Sequence, residues 1–465
     1  MDAVEPSPPA DCLRCRELEA RLRELEARNL MLETRLRDLE DKLKPPKPKP
    51  FEPLPPAPSK KPTGKTRGAQ PGHPPHLKTW LPAERVTAVV MHVPESCGRC
   101  DRSLADIPNE PSPTIHQVAE LPDTLAEITE HRGCARVCPC GRTTRAAIPA
   151  AVRAHTLGPK LTASIVYFSG VHGMSKRGIE ETVETLFGVP VALGTVADVE
   201  REVADALETE YEKVRTHVAD APVKHLDETG WKQAGKKRWL WVAATVGAVL
   251  FRIHPRRNLD ALKLLLGRLS GIIVSDRWCV YDDWDEESRQ LCWAHVGRNW
   301  DTWIERGGEA KDLGERWATL QKSVFELWHL FRGGGCTRTD LSDRMVPHIE
   351  AMGELLHAGT RSKDAVLSHA CTALLDRFPL LWLFVSVEGV EPTNNLGERV
   401  QRRAVLWRRR SFGCASASGC VYVERILTAV ETLRLQKRNV LDYLTETIAA
   451  AREARPGPAL CPATG

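Results

Sequence analysis

Three acidic residues occur in contexts that suit metal-dependent phosphoryl transfer. Asp227 lies in the segment 223–231, which predicts a short strand ending in carboxylates, and Asp276 directly follows the apolar run 271–275. Acids at the ends of neighbouring strands meet at one edge of a sheet, where two carboxylates can hold Mg²⁺ or Mn²⁺. A two-metal site needs a third acid, and Glu398 is the candidate.

The segment around Glu398 also predicts a phosphate-binding surface. Thr393 or Asn394 is expected to cap a helix and to place Glu398 one turn inside it. The downstream part of this helix is basic and carries no acid, which favours contact with a polyanion. Its arginines are Arg399, Arg402, Arg403, Arg408, Arg409 and Arg410. A helical surface that is simply rich in arginine is the alternative.

The elements that must position these acids predict a mixed α/β fold. Two strand-like runs, 238–245 and 248–254, are hinged at Gly247, and a helical pattern over 259–269 precedes the strand of the second acid. The run 290–295 predicts one more strand. Three adjacent strands followed by a helix and a strand, with acids at strand ends, indicate a sheet of the ribonuclease H type.

Residues 159–218 predict three helices joined by short turns. Ser175 is expected to cap the second helix and Thr195 the third, with Gly188 in the turn between them. Short helices around such a turn are typical of a helix-turn-helix and equally of an ordinary packing unit. We therefore expect a helical module over 155–218, with DNA binding as one of two alternatives.

A leucine repeat predicts a coiled coil over 15–44. The leucines recur in alternating steps of four and three, and Asn29 interrupts them at a position of the a type. A buried Asn there pairs best with its counterpart in an in-register partner, so we expect a parallel homodimer or a higher oligomer. An amphipathic helix folded back on its own chain is the alternative.

The stretch 45–82 is rich in proline and lysine, which predicts an extended basic linker. Its charges include Lys60, Lys61, Lys65 and Arg67. Such a segment suits a phosphate backbone, and a solvated tether is equally compatible with the composition.

Two cysteine pairs predict a structural Zn²⁺ site in a module over 83–150. Two residues separate Cys97 from Cys100, whereas one residue separates Cys138 from Cys140, and Cys134 is a substitute ligand. Four thiolates suit tetrahedral Zn²⁺. Loose thiols on a small β module are the alternative.

Composition limits the remaining classes. The chain has 465 residues, and 65 Lys plus Arg against 61 Asp plus Glu give a net charge of +4, so a nucleic-acid partner must be inferred from local charge. No window approaches eighteen consecutive apolar residues and the first thirty residues are charged, which argues against a membrane span and a secretory signal. We expect a cytoplasmic protein without membrane partners.

These motifs together resemble the insertion sequence 66 transposases. The resemblance covers nearly the whole chain, and its most specific parts are Ser275-Asp276, the Cys-Trp-Ala-His run 292–295 and the segment 392–398. It implies a ribonuclease H-like core over 219–450 with an Asp-Asp-Glu set at Asp227, Asp276 and Glu398. An all-helical insertion is expected over about 300–385, and a short tail over 451–465.

The resemblance also implies a mechanism. Asp227 and Asp276 would bridge two Mg²⁺ or Mn²⁺ ions and Glu398 would hold the second; one ion would activate water to cut the element's end, and the other would stabilise the leaving 3′ oxygen. The freed 3′ hydroxyl would then attack target DNA. The implied partners are element ends, target DNA and accessory proteins of the same element, in association with the nucleoid.

Three further residues are expected to support the site. His295 and Arg298 would orient a phosphate or the leaving strand, with a core histidine as the alternative, and Trp231 would either stack on a flipped base or pack beneath the site. Two other functions are the alternatives. One is a catalytically inactive or domesticated DNA-binding regulator, and the other is a simple nuclease that cuts without joining.

Overall fold

A computed structural model of the chain describes residues 21–22, 81–97, 99–106, 108, 116–119, 121, 126–140 and 142–461. The predicted coiled coil, apart from residues 21–22, and nearly all of the basic linker lie outside these residues, as do Lys60, Lys61, Lys65 and Arg67. The chain divides into two units, 1–119 and 120–465, and the division falls inside the predicted module 83–150.

In the first unit the described segments contain one short 3₁₀ helix and one isolated β-bridge. The helix is Ala83–Arg85, and the bridge joins Ser96 to Ser103. Gln117 fixes the start of this region, because its side chain accepts from the Leu81 N–H at 2.8 Å and donates to the Leu81 carbonyl at 3.0 Å.

The second unit is a mixed α/β structure. Its strands are β1 Ala135–Val137, β2 Thr143–Arg145, β3 Val223–Gln233, β4 Lys236–Ala244, β5 Val249–His254, β6 Ile272–Ser275 and β7 Arg289–Leu291. Its first eight α-helices are α1 Ala150–Ala154, α2 Pro159–Gly170, α3 Lys176–Phe187, α4 Leu193–Ala206, α5 Glu208–Asp220, α6 Leu259–Leu266, α7 Trp293–Arg306 and α8 Gly308–Arg332. The others are α9 Arg338–Thr360, α10 Ala365–Leu375, α11 Leu383–Ser386, α12 Asn395–Ser411, α13 Ala417–Leu435 and α14 Val440–Arg452.

The central sheet has five strands in the order β5-β4-β3-β6-β7. Strands β3, β4 and β5 are antiparallel, whereas β6 and β7 run parallel to β3. The predicted hairpin over 238–254 is confirmed as β4 and β5. The expectation that the first strand ends at its acids is wrong, because β3 stays paired with β4 as far as Gln233 and leaves Asp227 in mid-strand.

Helix α13 covers the outer edge of this sheet at β5. On its outer side β5 has no neighbouring strand among the described residues. The N–H groups of Val249, Phe251 and Ile253 donate instead to the side chains of Thr432, Thr428 and Glu424, at 3.0, 3.0 and 2.8 Å. The match is geometric, since four helical residues rise about 6 Å and two strand residues span about 6.6 Å. The edge strand is therefore satisfied by side chains of a helix.

The helices α2 to α5 confirm the helical character predicted for 159–218, with two corrections. Ser175 caps α3 by accepting from the Gly178 N–H at 3.1 Å, as predicted. The predicted third helix is instead two helices, α4 and α5, that meet at Leu207, and Thr195 does not cap it. The chain is already helical from Leu193, so Thr195 lies inside the first turn of α4, next to the buried Val196. All four helices share one hydrophobic core with the sheet.

The helices α7 to α11 form a second hydrophobic core against the sheet edge at β7. Three tryptophan rings lie at its centre, with ring centroids 4.5 Å apart for Trp300 and Trp317 and 4.6 Å apart for Trp303 and Trp317. The predicted strand over 290–295 is wrong in its second half, because β7 ends at Leu291 and Trp293 begins α7. The Trp293 indole points into the helical core and donates to the Leu381 carbonyl at 2.7 Å.

The entry and exit of this helical insertion touch each other. The Trp293 N–H donates to the Pro392 carbonyl at 2.9 Å, and the Asn394 N–H donates to Cys292 Sγ at 3.1 Å. The helices between these residues therefore leave and rejoin the sheet at one point, which we call the neck.

The C-terminal segment is anchored as far as it is described. Leu460 is buried, its N–H donates to Glu210 Oε2 at 2.8 Å, and its carbonyl accepts from Gln436 at 2.9 Å. In the described part of the chain, helices long and apolar enough for a bilayer span are absent.

Candidate active site

Asp227 and Asp276 come together at one level of the sheet. In the parallel pair of β3 and β6, His225 lies opposite Val274. Continuing this register by two residues, past the end of β6 at Ser275, points to Asp276 as the neighbour of Asp227, and the negative charge of Asp276 raises the pKa of Asp227. Neither carboxylate forms an ion pair with another described residue, so the pair presents uncompensated negative charge.

Glu398 reaches this edge from the first turn of α12. The helix begins where the sequence predicts, but Asn394 does not cap it through its side chain. The Asn394 amide instead donates to the Leu226 carbonyl at 2.7 Å, and its oxygen lies 3.2 Å from His225 Nδ1. Asn394 therefore fixes the start of the Glu398 helix to the strand that carries Asp227.

Gly397 makes this attachment possible. A Cβ atom at this position would lie 2.7 Å from Asn394 Oδ1, which is closer than real contacts allow. The glycine next to the third acid, an unexpected residue in a helical first turn, thus has a packing reason. Any side chain here would push Asn394 off the strand.

The far end of α12 is attached to the same strand. Beyond the helix, the Cys414 N–H donates to the Lys232 carbonyl at 2.9 Å, and the Ala234 N–H donates to the Cys414 carbonyl at 2.8 Å. Gly413 permits this approach, because a Cβ atom there would lie 2.2 Å from the Lys232 carbonyl oxygen. Strand and helix are therefore joined at both ends of α12.

Gln401 is a site residue that the sequence reasoning missed. It is buried one turn after Glu398, and its amide is satisfied when the nitrogen donates to Asp227 Oδ2 at 3.0 Å. The amide oxygen then accepts from the N–H groups of Glu228 and Thr229, at 3.2 Å each. The available signal was its spacing of three residues from Glu398, which places both side chains on one helix face.

The neighbouring acid Glu228 has a structural role. Adjacent residues of a strand point to opposite faces, so Glu228 is turned away from Asp227. Its carboxylate accepts from Arg257 Nε at 2.9 Å and from the Tyr281 hydroxyl at 2.6 Å. Burial raises the pKa of Glu228, and these two donors act against that shift.

The environment of Asp227 favours a bound cation. Burial raises its pKa to about 7, and the negative charges of Glu228, Asp276 and Glu398 add to this effect. Carboxylate oxygens are the ligands that Mg²⁺ and Mn²⁺ prefer, so Asp227, Asp276 and Glu398 fit such an ion in type and charge.

His295 and Arg298 lie beside Glu398, as expected. His295 Nδ1 is 3.5 Å and Arg298 Nη2 is 3.8 Å from Glu398 Oε1. Cys292 joins this group, and single ligand atoms of Cys292, His295 and Glu398 lie within 4.8 Å of one another. A cluster that could hold a metal thus adjoins the carboxylate pair. Burial lowers the pKa of His295 and raises that of the Cys292 thiol.

The six arginines of α12 separate into two groups. Arg403 is bonded to Glu431 and the Val171 carbonyl, Arg408 to Thr229 and the Gly230 carbonyl, and Arg410 to the His172 carbonyl. The other three are exposed and form no hydrogen bond or ion pair with another described residue. They are Arg399, Arg402 and Arg409. Only this second group is free to meet a phosphate.

The helix-turn-helix alternative has the wrong charge for DNA. Residues 176–206 carry three basic side chains and seven acidic ones, which gives this surface a negative balance. A polyanion is attracted by clustered Lys and Arg. The predicted DNA-binding role of this module therefore has no electrostatic support.

Trp231 packs in the interior. Its side chain is 1% exposed and its Nε1–H donates to Cys414 Sγ at 3.3 Å. Of the two roles expected for it, packing beneath the site is the one that this position permits.

Each cysteine pair lies in a tight turn within its own unit. The Cys97 N–H donates to the Arg102 carbonyl and the Cys138 N–H to the Arg142 carbonyl, both at 2.9 Å. Backbone N–H groups lower the pKa of Cys97 and of Cys140. Both turns thus favour thiolates, and a shared Zn²⁺ with Cys100, or with Cys134 as a substitute, stays a prediction.

Comparison with known proteins adds a family to this geometry. A family model described as "Transposase IS66 family" matches residues 155–421. Two relatives come from Sinorhizobium fredii (strain NBRC 101917 / NGR234). The uncharacterized protein y4qI is 24% identical in an alignment over 247 residues that covers 47% of this chain and 45% of that protein. The uncharacterized protein y4hP is 22% identical in an alignment over 415 residues that covers 81% of this chain and 74% of that protein.

Proposed function

Because the chain belongs to the IS66 transposase family, we propose that it cuts the ends of an insertion sequence and joins them to target DNA. The observation that carries this proposal is the convergence of Asp227 and Asp276 at one level of the sheet, with Glu398 brought to the same edge by α12. The strand order, three antiparallel strands followed by two parallel ones, supports a ribonuclease H-like core.

The three carboxylates are proposed to hold two Mg²⁺ or Mn²⁺ ions. Such ions, when bound, activate the attacking oxygen and stabilise the leaving 3′ oxygen. Gln401 keeps Asp227 oriented toward Asp276, and Asn394 keeps Glu398 at the same edge. Both are positioning residues, because they act through the acids.

DNA is proposed to lie along the exposed side of α12. Arg399, Arg402 and Arg409 point away from the protein interior and have no partner among the described residues. Helical spacing places the last two, seven residues apart, on the same face. A duplex end on this face would have its backbone beside three positive charges and its scissile phosphate near Glu398. A dimer through the predicted coiled coil and a structural Zn²⁺ belong to the same proposal.

Single substitutions of the three acids test the chemistry. We expect Asp227→Ala, Asp276→Ala and Glu398→Ala each to reduce Mg²⁺-dependent cleavage of element ends by at least about 1,000-fold, because each removes a ligand that supplies several kcal/mol of transition-state stabilisation. DNA binding, measured by gel shift, should persist. Glu424→Gln is the matched control, a buried acid bonded to Ile253 of the edge strand β5.

The outcomes separate the other functions. Full cleavage by any one of the three variants would overturn the catalytic assignment. A wild-type chain that binds element ends without cutting them is a regulator, and one that cuts but fails to join pre-cleaved ends is a nuclease.

A further inference from the structure

Two buried polar atoms where α7 meets the first turn of α12 have no hydrogen-bond partner among the described residues. They are His295 Nδ1 and Glu398 Oε1, and they lie 3.5 Å from each other. A buried donor or acceptor without a partner costs about 1–3 kcal/mol, so such a pair needs an explanation. At this distance and orientation the two atoms do not form a hydrogen bond with each other.

The third member of the cluster is Cys292, which is fully buried. It precedes α7, so its sulfur and the His295 ring, three residues on, lie in the same helical turn. The neck brings this turn against the first turn of α12, where the Asn394 N–H donates to the sulfur at 3.1 Å. This hydrogen bond fixes the sulfur between the first turn of α7 and the first turn of α12.

The spacing fits a single small cation. Two ligand atoms each about 2.0–2.1 Å from a tetrahedral ion are about 3.4 Å apart, close to the separation of the two orphaned atoms. A sulfur, an imidazole nitrogen and one carboxylate oxygen are the ligand types of Zn²⁺, whereas Mg²⁺ prefers oxygen alone. The Arg298 guanidinium is 3.8 Å from Glu398 Oε1, and its side chain is 65% exposed, so it can turn toward solvent when a cation binds.

We propose that Cys292, His295 and Glu398 form a binding site for a soft divalent cation such as Zn²⁺, separate from the Asp227 and Asp276 pair. The cation fills the space between the two orphaned atoms and is held by the sulfur from the third side. Glu398 is common to this site and to the proposed catalytic set. Any effect of the cation on catalysis therefore rests on the proposed function, whereas the test below measures metal binding alone.

Co²⁺ is the probe, because a Co²⁺–thiolate bond gives a near-ultraviolet charge-transfer band that Co²⁺ held by carboxylates alone lacks. The full-length wild-type chain is compared with Cys292→Ser and His295→Asn. Cys279→Ser is the matched control, an exposed cysteine thirteen residues earlier. Thermal unfolding of each variant shows whether it is folded.

We expect the wild type and Cys279→Ser to bind one more Co²⁺ than Cys292→Ser, with a correspondingly stronger band. The His295→Asn variant retains the Cys292 sulfur but loses one of three ligands. It should therefore bind Co²⁺ at this site at least about tenfold more weakly. Zn²⁺ should displace the Co²⁺ and abolish the band. The wild type and Cys292→Ser both retain the cysteine pairs at 97–100 and 138–140, so a difference in Co²⁺ binding between them reports on this site alone.

Equal Co²⁺ uptake and equal spectra for the wild type, Cys292→Ser and His295→Asn would overturn the proposal. If Cys292→Ser does not fold, Glu398→Gln replaces it, because it keeps the shape of the side chain and removes the charged ligand; unchanged Co²⁺ affinity would then overturn the proposal. Asp227→Ala separates the two ideas. It should lose cleavage yet keep the thiolate band, so a failure of the transposase assignment leaves this result unchanged.

Discussion

Two buried carboxyl groups, Asp227 in the central strand β3 and Glu424 beside the edge strand β5, have similar pKa values and different surroundings. Burial raises the pKa of Asp227 and of Glu424 to about 7 in each case. Around Glu424 the other charges oppose the shift, because the Ile253 N–H, Arg252 and Arg425 all favour the ionised form. Around Asp227 the Glu228 N–H also opposes the shift, but the neighbouring side-chain charges are three further acids, which add to it.

The difference teaches how to recognise the functional acid. Glu424 completes the hydrogen bonding of the edge strand β5, so its burial is explained by the fold alone. Of the acids around Asp227, Glu228 is held by Arg257 and Tyr281, whereas Asp227 and Asp276 form no ion pair with another described residue, so a bound cation would compensate them. A perturbed pKa alone therefore does not identify a site, whereas the sign of the surrounding charges does.

Asn394→Ala should give the largest effect among the positioning residues. Removing its bonds to Leu226 and His225 frees the start of α12, and loss of such an outer partner typically costs about 10–100-fold in activity. Strand cleavage at saturating DNA measures this loss. Thr428→Ala is the control at the other edge; it should cost about 1–3 kcal/mol of stability while the folded fraction cleaves normally. Equal cleavage by both variants would contradict the comparison.

Gln401→Leu should shift the pH dependence of cleavage. The Gln401 amide donates to ionised Asp227, so its removal raises the pKa of Asp227 further and moves the acid limb of the profile to higher pH. A shift of one unit means about tenfold lower cleavage below the pKa. Higher Mg²⁺ should move the limb back, because the ion competes with the proton. A profile that falls uniformly at all pH values would instead indicate a structural defect.

Asp227→Asn should stabilise the chain in EDTA at pH 8. The folded-state pKa of Asp227, about 7, lies above the ordinary 3.8. The contribution of this group to the free energy of unfolding is therefore fully present below pH 4 and is lost as the pH rises through 7. The variant avoids this loss, which is at most about 4 kcal/mol. Thermal unfolding at pH 5 and pH 8 measures it. Mg²⁺ should raise the melting temperature of the wild type and not of the variant.

Arg409→Ala should give the smallest effect, a few-fold weaker DNA binding. The slope of the logarithm of the binding constant against the logarithm of the salt concentration should become shallower by about one. Arg403→Ala, whose guanidinium is bonded within the protein, should mainly lower the stability. Gel shifts between 50 and 200 mM salt separate the two. An unchanged slope for Arg409→Ala would place the DNA elsewhere.

The sequence was sufficient for features that depend on local pattern. The β4–β5 hairpin and the Ser175 cap follow from turn and capping residues. The start of the helix that carries Glu398 is also as the sequence predicts, although Asn394 bonds there to β3 and is not a side-chain cap. The length of β3 was not predictable in this way, because it depends on pairing with β4. Gln401 and Cys292 were missed as site residues for a similar reason, since their importance comes from contacts across more than a hundred residues of chain.

The neck has a consequence for how this protein can change. Because Trp293 and Pro392 are in direct contact, the chain between them behaves as a cassette whose length has no geometric effect on the spacing of the acids on either side. The first two turns of α7, which carry His295 and Arg298, and the surfaces that pack against β6 and β7 must be kept. The exposed turn 333–335 between α8 and α9 lies outside both regions, so for protein engineering it is the position at which a foreign domain or a fluorescent reporter can be inserted.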